Sequence, residues 1–170
     1  MPVPLSNSPI APIMLSCNLP AGVSVSKLSV KDLMDVLEIR ASLEGLGASL
    51  AAERRTEEDI KNLEEIEEEF EQAVITQDID MLLKKDIEFH ECIFKAANNK
   101  KLEKMINSLW EQVQRFRITY VSDSNASLSL IDEHRIILNA IKEGNVADGK
   151  KAAIEHIEKA EQFMLDHCTK

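Results

Sequence analysis

All five prolines of this 170-residue chain fall between Pro2 and Pro20, and none follows. Proline lacks a backbone N–H and its ring clashes with the preceding helical turn, so a long proline-free stretch leaves helix open throughout. Apolar residues in that stretch recur at three- and four-residue spacing, and no segment alternates convincingly with period two. The composition therefore divides the chain. Residues 1–28 read as a Pro-rich N-terminal arm or linker, and residues 29–168 read as an all-α domain.

Six helices are predicted in that domain. Ser29 is a good N-cap for the first, with Asp32 three residues on, and its apolar stripe is Leu33, Val36, Leu37, Leu43, Leu46 and Leu50. Gly45 and Gly47 permit close packing or a bend there. Thr56, followed by Glu57, Glu58 and Asp59, starts the second, which carries Ile60, Leu63, Ile66, Phe70 and Val74. The third runs from about Asp78 to Ala97 and stops at Asn98 and Asn99. The fourth runs from about Lys100 to Val121, with Leu102, Met105, Ile106, Leu109, Trp110, Val113, Phe116 and Tyr120 on its stripe. A turn cluster from Ser122 to Asn125 leads to a fifth helix from about Ala126 to Lys142, ended by Gly144 and Asn145. The sixth covers about Val146 to Cys168. Short connections between amphipathic helices predict an antiparallel bundle. In the acidic run Glu64 to Glu69, Ile66 and Phe70 keep the stripe, so the glutamates read as a solvated face.

The net charge of -10 argues against a large nucleic-acid-binding surface on this chain, because phosphate contacts need clustered Lys and Arg. No apolar run reaches the ~18 residues that span a bilayer. Three widely separated cysteines, Cys17, Cys92 and Cys168, with no Cys-x-x-Cys, predict free thiols and a cytoplasmic location.

The chemistry resides in the histidines. Asp86 and His90 are four residues apart, on one face of a helix. His134 sits among Leu130, Ile131, Ile137 and Leu138, and His156 among Ala152, Ala153, Ile157 and Ala160. All four side chains thus face inward, from three helices. A buried carboxylate is costly alone, and a divalent cation would neutralise it. Asp86, His90, His134 and His156 make an N3O set that suits Zn, Ni, Mn or Fe, and six-coordination would leave two positions for a small carboxylate. His167 is excluded: eleven residues beyond His156, it lies ~16 Å further along the axis. Arg40 falls on the inward stripe of the first helix and needs an anion, either Glu44 one turn on or the carboxylate of a ligand. Arg117 and Tyr120 are further candidates for the same ligand.

Several segments together carry a family resemblance: Arg40-Ala-Ser-Leu-Glu44, Asp86-Ile-Glu-Phe-His90, Ala97-Asn-Asn99, Glu133-His134, Ala140 with Gly144-Asn145, and His156. In this order they resemble the C-terminal effector-binding (FCD) domain of the FadR branch of GntR-type bacterial transcription regulators, over about residues 29–168. The resemblance implies a bundle of six or seven helices and metal coordination by Asp86, His90, His134 and His156. It further implies a small organic acid effector and a homodimer in which effector binding shifts paired DNA-binding domains. No recognition helix is readable in residues 1–27, so DNA contact is expected only through a winged helix-turn-helix domain absent from this chain.

Three functions stand against one another. The first is a ligand-sensing regulatory domain without enzymatic activity. The second is a metalloenzyme of hydrolase or non-haem iron type, whose nearest bases, Glu133 and Glu88, are placed to point elsewhere. The third is a helical dimerisation module with the histidines as core. The first is the expected one.

Overall fold

The computed structural model describes residues 30–168, which form six α-helices. These are α1 (Val30–Arg54), α2 (Glu57–Thr76), α3 (Ile79–Ala96), α4 (Lys100–Val121), α5 (Ser124–Glu143) and α6 (Val146–Cys168). The expected cap at Ser29 and the arm of residues 1–28 lie outside the described residues.

Local chemistry sets the boundaries. Thr56 caps α2 reciprocally: its Oγ1 accepts from the Asp59 N–H at 3.2 Å, and Asp59 Oδ2 accepts from the Thr56 N–H at 2.8 Å. Side-chain oxygens of Asp78, Asn99 and Asp123 cap α3, α4 and α5. The helix α5 starts before the expected Ala126 because Asp123 Oδ1 accepts from both Asn125 N–H (3.0 Å) and Ala126 N–H (2.9 Å). Gly144 closes it in the left-handed conformation, φ 73°, where a side chain would meet the Arg55 guanidinium.

Helix α1 is the spine. It packs along α6 and also touches α3, α4 and α5, while α2 packs on α3 and α5. A Cβ on Gly45 would lie 2.7 Å from the Ile154 side chain and 3.2 Å from the Lys150 carbonyl oxygen, so the missing side chain is what lets α1 and α6 approach. Gly47 gives the same clearance to Phe94 of α3. This close approach corrects the predicted stripe. Leu33 and Leu37 of the predicted stripe are buried, but from Arg40 on the positions facing the bundle centre are small or polar, namely Arg40, Ala41, Glu44, Ala48, Ala51 and Ala52, while Leu46 is exposed and Leu43 half-buried on a flank. Met105 of α4 is likewise exposed.

The interior is stratified. One apolar cluster contains Leu37, Phe70, Leu82, Leu130 and Ile157, and another contains Ala48, Leu63, Ile93, Ile137 and Ala153. On every contributing helix a polar residue separates the two. These are Arg40 and Glu44 on α1, Glu67 on α2, Asp86 and His90 on α3, His134 on α5, and His156 on α6, all buried. No helix among the described residues is long and apolar enough to cross a membrane.

Candidate metal centre and adjoining cavity

The polar stratum is organised around three imidazoles. Ring nitrogens of His90, His134 and His156 lie within 4.8 Å of one another. Each ring is oriented by a carboxylate on a different helix. His90 Nδ1 is 3.2 Å from Glu44 Oε2, His134 Nδ1 is 3.1 Å from Glu67 Oε2, and His156 Nδ1 is 2.9 Å from Glu133 Oε2. A carboxylate only accepts, so each Nδ1 carries the proton and each Nε2 keeps a lone pair. Phe89 stacks on His134 at 4.1 Å between centroids and holds the ring plane.

The Nε2 atom of His134 turns toward Asp86. His134 Nε2 is 3.6 Å from Asp86 Oδ1, too long for a hydrogen bond, and has no hydrogen-bond partner although buried. His156 Nε2 and His90 Nε2 face each other at 3.2 Å. Two lone pairs so placed repel. Two nitrogens each about 2.1 Å from one cation at near-right angles would stand about 3 Å apart. The orphaned nitrogen, the facing pair and the buried carboxylate together fit a divalent ion held by Asp86, His90, His134 and His156.

Charge is managed around this point. Asp86 Oδ2 lies 3.2 Å from Arg117 Nε. Burial works against its ionisation, but Arg117 and the histidines hold the carboxyl below its ordinary range. Burial also opposes charge on Glu44, and His90, Arg40 and Arg117 outweigh it, keeping that carboxyl well below its usual range. Burial pushes His90 down to about 4 and lowers His156 as well, so both rings are neutral and available as ligands near pH 7.

The structure brings the rings of His90, His134 and His156 together and sets Asp86 beside His134 and Arg117. It resolves Arg40 toward Glu44, whose Oε1 accepts from Arg40 Nε at 3.1 Å and from Trp110 Nε1 at 3.2 Å. Arg40 still lines a cavity of about 30 Å³ beside the histidines, together with Asp86, His90, Arg117, Tyr120 and His156. Arg117 Nη2 is buried there without a hydrogen-bond partner. His167 is exposed, with its ring on Phe163, and takes no part.

Two expectations are corrected. Glu67 lies in the acidic run read as a solvated face, yet it is buried and bonded to His134. The signal was available, because Leu63, Glu67, Phe70 and Val74 follow the helical stripe and Ile66, which is only half-buried, sits at its edge. Glu133 was expected to point away; it orients His156 instead, and its other oxygen accepts from Lys159 at 3.1 Å. With both oxygens engaged it is no free base, and Glu88 is paired with Lys85.

Comparison with known proteins agrees with this architecture. The FCD domain family model matches residues 35–159. The chain is 32% identical over 155 residues to the HTH-type transcriptional regulator LutR of Bacillus subtilis, covering 88% of this chain and 68% of that protein. Streptococcus agalactiae GntR is similar in structure with a TM-score of 0.68 at 26% identity, covering 85% of this chain and 65% of that one. E. coli McbR/YncC shares the fold with a TM-score of 0.75 at 21% identity, over 83% of this chain and 71% of that one. The chain thus spans about two thirds of the length of each.

Proposed function

This chain belongs to the FCD domain family of GntR-type transcription regulators, and from that premise we propose that it senses a small organic acid beside a divalent metal ion held by Asp86, His90, His134 and His156. The observation that carries this reading is the engagement of all three Nδ1 atoms by buried carboxylates, which leaves the three Nε2 lone pairs to a cluster of neighbouring rings with Asp86 beside His134. Unrelated core histidines would need no common focus. The donor set suits Zn, Ni, Mn or Fe. When bound, the ion supplies a Lewis-acidic positive centre for an anionic oxygen.

The chain's own side chains do the rest. Arg117 offers its unpaired Nη2 to the acid's carboxylate, and Arg40 and Tyr120 border the same space. Burial raises Tyr120, so its hydroxyl stays protonated and can donate. The domain is regulatory and not an enzyme, in keeping with relatives named as transcription regulators. Because α1, α3, α4 and α6 each border the cavity, an acid held among them favours one arrangement of these helices over another. Differential binding of that kind is the thermodynamic requirement for transmitting a signal. Contact with DNA is assigned to a winged helix-turn-helix domain of the whole regulator, acting as a cytoplasmic homodimer, and not to this bundle.

Acetate titration of metal-free and metal-loaded protein, followed by thermal denaturation, tests the reading. Loaded protein should gain ~2.7 kcal/mol of stability at a hundred times the dissociation constant. Equal response, or none, in both forms overturns it.

A further inference from the structure

The cavity has a direction that the helix registers fix. Along α6, His156 is followed on the same face by Ala160 and Met164, about 6 and 12 Å further along the axis. Along α4, Arg117 is followed by Tyr120 and then Val121. Helix α1 runs antiparallel to both: Gly45 meets Ile154 while Ala48 meets Gly149, and Glu44 bonds Trp110. The step from Arg40 back to Leu37 therefore points the same way. All three helices place a polar group at the metal end, and beyond it the lining is apolar apart from the Tyr120 hydroxyl. Leu37, Val121 and Met164 at the far end are almost wholly buried.

Charge sets a second limit. Arg40 pairs with Glu44, Arg117 with Asp86, and Lys159 with Glu133. Of the carboxylates turned toward the histidines, Glu67 remains. Burial pushes the Glu67 carboxyl up, and His134 and Arg135 oppose that; with Glu67 ionised, a divalent ion added to this set leaves one positive charge over, which a single carboxylate neutralises. A second carboxylate would sit without a partner in an apolar enclosure, at high cost. Hydroxyl groups on a longer ligand would face the same apolar wall. The whole cavity, head and tail ends together, is about 30 Å³, room for about two waters, which favours a short acid over a long one.

We propose that the acid sensed is a short aliphatic monocarboxylate, with its head at Arg117 and its tail between Ala160 and Val121, in preference to a sugar acid or a dicarboxylate. This rests on the reading of the site given above. Calorimetric titration of zinc-loaded protein with acetate, butanoate, gluconate and succinate tests it. Butanoate is expected to bind at least tenfold more tightly than gluconate or succinate. Ala160→Leu, which fills the tail end, should abolish that preference while acetate still binds. Val121→Thr, close to isosteric, should narrow the butanoate-to-gluconate ratio severalfold and covers the case in which Ala160→Leu fails to fold. Acetate binding with no preference for butanoate, or a preference unchanged in both folded variants, overturns the specificity and leaves the sensing site standing. Failure of all four acids on zinc-loaded protein overturns both.

Discussion

Glu67 Oε2 lies 3.1 Å from His134 Nδ1, linking a run of acidic residues on α2 to the centre of the bundle. Glu68, the next residue, is exposed. The contrast predicts that Glu67→Gln weakens metal binding by about 10–100-fold, the usual effect of losing a carboxylate that orients a ligating histidine. Glu68→Gln should leave it unchanged. Competition against a chromogenic chelator measures both. Equal affinities in the two variants would remove the orienting role.

Most of the fold was legible because the helix punctuation is local. Thr56, Asp78, Asn99 and Gly144 act within a turn of where they stand in the chain. The burial of Asp86, His90, His134 and His156 was legible for a related reason, since an imidazole or carboxylate on an apolar stripe is conspicuous. The orienting carboxylates were less so. Glu67 was camouflaged by four acidic neighbours, and its partner His134 comes 67 positions later. Leu46 misled in the opposite sense. A large apolar side chain outweighed Gly45 and Ala48, although close approach of α1 and α6 demanded the small residues inward.

Asp86 is the anion that makes a buried Arg117 tolerable. Asp86→Ala should destabilise the metal-free protein by ~3–5 kcal/mol, the range for breaking a buried pair on one side. Asp86→Asn should cost less, because it keeps the shape and one acceptor. Urea denaturation of metal-free protein gives both values. A loss below ~1 kcal/mol for Asp86→Ala would contradict the pairing.

The pH response of the metal-free protein follows from His90. Burial lowers it from 6.5 to about 4, so between those values the unfolded chain binds more protons than the folded one. Stability then rises with pH through that window. It should be fully present above about pH 6.5 and lost progressively as pH falls toward 4. Midpoints of thermal unfolding across that range check the sign. A flat profile would mean that the ring takes up its proton in the fold as readily as in the unfolded chain.

Gly45→Ala gains ~1 kcal/mol of helix propensity but forces a methyl to within 2.7 Å of Ile154 and 3.2 Å of a carbonyl of α6. Overpacking of this kind costs ~1–3 kcal/mol, so a net loss of stability is expected. Adding Ile154→Ala should recover part of the strain but not the backbone contact. Chemical denaturation of the single and double variants resolves the two contributions.

Asp86, His90, His134 and His156 are proposed to hold one divalent ion. Elemental analysis of purified protein, exposed to zinc and then desalted, tests it most directly. One ion per chain is predicted for the unaltered protein, and almost none for a folded His134→Ala variant. Stoichiometric metal retained in that variant, or no metal in the unaltered protein, would contradict the account.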